Sequence, residues 1–106
     1  MNSQFSEFRT GVIGVGSMGV NHVRILKEIS NLSYISDINE SLGMKVSNDY
    51  GVKFVKDYKD MLDKIDAVFI VVPTKYHMIV AKDVIDMQIP ALIEKPLAAN
   101  FNDAKF

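Results

Sequence analysis

A chain of 106 residues has room for one compact domain and not for a complete two-domain enzyme. Its 48% hydrophobic and 24% charged residues suit a packed globule, and a net charge of -1, dispersed along the chain, leaves no field to gather nucleic acid or an anionic membrane. With no cysteine present, disulfides, thiolate metal sites and a cysteine nucleophile are excluded together, and no metal is expected.

No apolar run approaches the roughly 18 residues that a membrane span needs. The opening MNSQFSEFRT has one basic residue and no long apolar stretch, unlike a signal peptide. The cytoplasm is the expected location.

In chain order, Phe8 to Gly14 reads as an apolar strand. Ser17 then stands where a helix N-cap belongs, and Met18 to Ser30 has helical spacing. Met18, His22, Ile25 and Ile29 fall on one face of that helix, with Val23 and Leu26 beside it. Leu32 to Ser36 is a second strand ending at Asp37. Asn39 to Tyr50 forms an amphipathic helix closed by Gly51. Val52 to Val55 is a third strand, followed by a helical turn or two over Tyr58 to Lys64. The run AVFIVV, Ala67 to Val72, has the continuous apolar character of a central parallel strand covered on both faces. Pro73 ends it, and Thr74 caps a helix over Lys75 to Gln88 whose Val80, Val84 and Met87, with Ala81 and Ile85, face the sheet. Pro90 breaks this helix, Ala91 to Glu94 is a fifth strand, and Pro96 ends it. About five strands alternating with helices imply right-handed crossovers and a Rossmann-type, doubly wound parallel sheet of the α/β class.

In such a sheet, ligands bind beyond the carboxyl ends of the strands, where the strand order reverses. Gly14, Gly16 and Gly19 form a G-x-G-x-x-G between strand and helix. The first glycine permits a tight turn, the second lets backbone approach a pyrophosphate, and the third lets the helix pack closely on the strand. Asp37 lies near the distance of about 20 residues at which an acid takes the adenosine ribose hydroxyls. It favours NAD over NADP, whose 2′-phosphate it would repel, and no arginine follows in Ile38-Asn39-Glu40 to reverse that. Asp37 also reads as a cap of the helix starting at Asn39, and the two roles are compatible. Pro73 and Thr74 either approach the cofactor ribose and nicotinamide or simply end a strand and cap a helix. His77 either reaches the crevice or packs, and His22 reads as a packed structural histidine. Lys95 is either a solvated loop residue paired with Glu94 or a cation at the nicotinamide. In the second case it would bind a substrate oxygen during hydride transfer.

Four segments together resemble the amino-terminal domain of the Gfo/Idh/MocA family of oxidoreductases, named for glucose-fructose oxidoreductase and inositol dehydrogenase. They are GVIGVGSMGVNH at Gly11 to His22, SDIN at Ser36 to Asn39, VVPTKYH at Val71 to His77 and IEKPLA at Ile93 to Ala98. The Glu-Lys-Pro triplet is the most specific of these. The resemblance implies NAD(P)-dependent oxidation or reduction of a sugar, a polyol or a nucleotide sugar. It assigns Gly14, Gly16, Met18 and Gly19, with Ser17 between them, to the pyrophosphate turn, and Asp37 to the ribose. Pro73, Thr74 and His77 belong to the loop after strand four, and Glu94, Lys95 and Pro96 form the triplet, whose lysine lies between nicotinamide and substrate.

The family continues into a second α/β domain that holds the substrate, and this chain stops at Phe106, where another helix is beginning. The expectation is therefore a truncated dehydrogenase, inactive by itself, with the substrate and any homo-oligomer interface belonging to the absent half. The alternative is a stand-alone NAD-binding module that senses the cofactor or pairs with a separate partner. A methyltransferase using the glycine turn for S-adenosylmethionine leaves the Glu-Lys-Pro triplet without a purpose.

Overall fold

The computed structural model describes residues 7–72 and 74–93, and the side chains of Thr74, Leu92 and Ile93 are not described. Five parallel strands make one sheet: β1 Arg9–Ile13, β2 Asn31–Ser36, β3 Lys53–Val55, β4 Ala67–Ile70 and β5 Ala91–Ile93, in the order β3-β2-β1-β4-β5. Three helices connect them: α1 Ser17–Ile29, α2 Glu40–Tyr50 and α3 Thr74–Asp86. Two single turns of 3-10 helix, Tyr58–Asp60 and Leu62–Lys64, lead from β3 into β4. The Glu94 end of the expected fifth strand lies outside the described residues.

The order explains where the layers go. Right-handed crossovers moving outward from β1 to β2 to β3 set α1 and α2 on one face of the sheet. The chain then crosses to the far side of β1, so α3 and the 3-10 turns cover the opposite face. Because strand side chains alternate, β1 feeds both cores. Val12 packs with Val15, Val23, Leu26, Ile35 and Val46, whereas Ile13 packs with Met61, Leu62, Val68, Ile70, Val80 and Val84. At the opposite end from the cavity described below, Arg9 forks onto Asp66, with its backbone N–H and guanidinium both donating to the carboxylate. This pins β1 against β4.

Three local expectations need correction. Gly16, in extended conformation, is the N-cap of α1, and Ser17 is already helical; no side chain caps this end. The face of α1 turned to the sheet is Gly19, Val23 and Leu26, and Ile25 and Ile29 remain 45% and 37% exposed. A glycine within that stripe lets the helix axis settle against the strand, which rotates the bulkier stripe outward. In α3 only Val80 and Val84 of the expected stripe are buried. Ile85 sits around the helix from them, and Met87 follows its last turn, so both are exposed. In α2, Gly51 closes the helix as expected, in the left-handed region at φ 67, whereas the N-cap is Asn39, which accepts from Leu42 N–H at 3.1 Å, and Asp37 instead accepts the Asn39 N–H just before it.

Candidate functional site

The site is built where β1 and β4 part, at the carboxyl ends of the strands. Gly14 leaves β1 with φ 97, and a Cβ there would sit 2.4 Å from the Val71 carbonyl oxygen. Only glycine meets both demands. Its N–H donates to the Ser36 carbonyl at 2.7 Å, which bends the turn toward the end of β2. Gly19, in the first turns of α1, lies so close beneath that a Cβ would come within 1.9 Å of the Gly14 carbonyl oxygen. Gly16 is the opposite case, because none of the described residues comes within 4 Å of the place its Cβ would occupy. Gly14 and Gly19 are required by the protein's own backbone, and the space in front of Gly16 is open among the described residues.

A cavity of about 560 Å³ occupies that space. The expected turn residues Gly14, Gly16, Ser17, Met18 and Gly19 all line it, together with Asp37. The α1 end facing it has no side-chain cap and no acidic residue in its first turn. Unpartnered N–H groups at the positive end of a helix dipole, with no carboxylate competing for them, are suited to an anion. The residues therefore fit a pyrophosphate: a shape without side chains, backed by donors.

Asp37 is held rigidly. One carboxylate oxygen accepts the Val15 N–H at 2.8 Å, and the other accepts the Asn39 N–H at 2.7 Å. It thus braces the glycine turn and shapes the entry to α2. A carboxylate has about four acceptor positions, so both oxygens retain capacity toward the cavity that Asp37 lines.

Around α3 the lining differs from expectation. Tyr76 borders the cavity and His77 is not among its lining residues. The His77 Nε2 is buried without a hydrogen-bond partner among the described residues. Val71 and Val72 line the cavity wall beyond β4. Pro73, Glu94, Lys95 and Pro96 lie outside the described residues, as does the Thr74 side chain. His22 is half-buried with its ring 5.4 Å from that of Phe69, in keeping with a packed histidine. Among the described residues, no group of three His, Cys, Asp or Glu could hold a metal ion, and no helix is long and apolar enough to cross a membrane.

Sequence reasoning missed Lys56 and Ile38. Lys56 follows β3 and lines the cavity beside Asp37, and Ile38, 83% exposed, lines it as well. No motif marks Lys56; the strand order of the structure, which puts the end of β3 next to that of β2, is what singles it out.

A doubly wound parallel sheet whose glycine turn opens on a cavity at the switch point defines a dinucleotide-binding domain. The oxidoreductase family with an NAD-binding Rossmann fold, Gfo/Idh/MocA, matches residues 8–106, and the chain belongs to it as the NAD-binding domain of an oxidoreductase. It is 34% identical over 96 residues to UDP-N-acetylglucosamine 3-dehydrogenase of Acidithiobacillus ferrooxidans, covering 91% of this chain and 31% of that enzyme. A crystal form of the same enzyme superposes with a TM-score of 0.81 at 33% identity, covering 93% of this chain and 33% of that one. The myo-inositol dehydrogenase of Lactobacillus casei, solved in complex with NAD(H) and myo-inositol, matches with a TM-score of 0.78 at 28% identity, covering 93% and 31% of the two chains. The chain spans about a third of the length of the curated relatives it matches.

Proposed function

We propose that this chain is the cofactor half of a cytoplasmic dehydrogenase acting on a sugar, a polyol or a nucleotide sugar, with NAD preferred over NADP. Residues 1–106 form the cofactor domain, and a second domain supplies the substrate pocket. The observation that carries the reading is the convergence of Gly14, Gly16, Gly19 and Asp37 on one cavity. Gly16 and the first turn of α1 hold the pyrophosphate, with Ser17 and Met18 flanking it. Asp37 accepts from the ribose hydroxyls through the capacity its backbone bonds leave free. Pro73 and Thr74 border the nicotinamide half beside Tyr76, and Glu94 and Lys95 close it, Lys95 binding the substrate oxygen on which charge develops. When bound, the cofactor takes up or delivers the hydride. The domain alone binds cofactor and does not turn over. The substrate class is supported by relatives named for UDP-N-acetylglucosamine and inositol.

The test is a fluorescence titration of the folded chain with NADH. Saturable binding below millimolar concentration is expected, and no binding at millimolar NADH overturns the proposal.

A further inference from the structure

We propose that Lys56, at the end of β3, reads the 2′ position of the adenosine ribose and offsets the repulsion that Asp37 alone would exert on a 2′-phosphate. The inference rests on the dinucleotide reading above. In the parallel register of β2 and β3, Ser36 stands opposite Val55, so the next residues, Asp37 and Lys56, leave the sheet side by side. The Ser36 hydroxyl, which donates to the Lys56 carbonyl at 3.4 Å, ties these two strand ends together. Both residues line the same cavity, and Lys56 is the one cation among the described residues that line it.

Among the described residues, the lysine's ion-pair partner is Glu40, and the pairing is weak. The Lys56 Nζ lies 4.0 Å from Glu40 Oε1, with the two side chains 78% and 61% exposed. A pair so open to water contributes little and rearranges freely, so Lys56 can exchange Glu40 for a better anion. The 2′-phosphate, with a charge near -2 and several strong acceptors, is such an anion at the ribose end of the cavity. An NAD ribose presents only hydroxyls there, and Asp37 serves those. The two residues therefore act on different cofactors: Asp37 through hydroxyl donors, Lys56 through phosphate charge. Glu40 sets how available the lysine is. The domain accordingly discriminates between NAD and NADP less sharply than its lone ribose acid implies.

The experiment compares dissociation constants for NADH and NADPH in the chain and in Lys56→Gln, Lys56→Arg and Glu40→Gln, at low and high salt, with circular dichroism confirming that each is folded. Lys56→Gln is expected to weaken NADPH binding about three- to tenfold while moving NADH less than about twofold. Lys56→Arg retains the NADPH affinity. Glu40→Gln improves it about twofold, and raising the salt erases these differences. NADH binding with an NADPH ratio that none of the substitutions moves overturns the role of Lys56 and leaves the dinucleotide reading standing. Failure of the unaltered folded chain to bind either cofactor overturns both.

Discussion

Replacing Asp37 by alanine removes two acceptors at once, and the two losses differ in kind. The Val15 N–H that donates to Asp37 belongs to a residue with no exposed surface, so it is left buried without a partner. Stranding such a donor costs about 1–3 kcal/mol. The Asn39 N–H lies in an exposed segment where water replaces the lost acceptor, leaving a net loss of about 0.5–1 kcal/mol. Together they come to roughly 1.5–4 kcal/mol, and at about 4–8 °C per kcal/mol for a domain near this size, the melting temperature falls by about 6–32 °C. Thermal unfolding followed by circular dichroism measures this directly. Asp37→Asn, which keeps one acceptor oxygen, should fall between alanine and the unaltered chain. The asparagine variant also carries the cofactor test, because a carboxylate about 4 Å from a phosphate at a surface-like dielectric costs roughly 4 kcal/mol before screening. Removing the charge should narrow any preference for NADH over NADPH. A fall of less than about 3 °C in Asp37→Ala would refute the bracing role assigned to the carboxylate.

Two glycines of the turn separate folding from binding. Gly19→Ala forces a methyl into the Gly14 carbonyl and should cost about 3 kcal/mol or more, seen as a large loss of chemical stability. Gly16→Ala meets no atom of the described residues and gives up only the helix N-cap preference for glycine, so stability should fall by no more than about 1 kcal/mol while NADH binding falls by at least tenfold, read by paired denaturant and fluorescence titrations. Tyr58 donates to Asp83, and burial first, then that bond, pushes its pKa up to about 12. The folded state thus holds a proton that the unfolded chain releases near pH 10, so its contribution is complete below pH 10 and declines between pH 10 and about 12. Tyr58→Phe should flatten the alkaline stability profile over that window, as urea midpoints across the range will record.

Much of the fold was legible because its signals were local. The apolar run from Ala67, the glycine closing α2 and Pro90 before the last strand each act over a few residues, and among the described residues the strand ends moved by one or two positions at most. The facing of α1 was not legible in the same way. Two apolar stripes run along it, and only contact with the sheet selects the one containing Gly19, which allows the closer approach. The N-cap was misread for a related reason. Ser17 has the chemistry of a cap, but the turn brings Gly16 to that position and leaves the helix end uncapped. The glycine turn and Asp37 were recognised from spacing alone. Lys56 was not, because nothing in VKFVKDYK marks one lysine over another until the sheet sets β3 beside β2.

The bonds that join the turn to the end of β2 also bear on the entropy of binding. Gly14 N–H reaches Ser36, and the next N–H along the chain, from Val15, reaches Asp37, so turn and acid are fastened at consecutive residues. The glycine turn and the Asp37 carboxylate therefore keep a fixed separation before any ligand arrives. Less ordering is left for the ligand to impose, and more of its contact energy appears as affinity. The same fixed spacing acts as a ruler: a nucleotide gains from both ends only when the distance from phosphate to ribose matches that between Gly16 and Asp37.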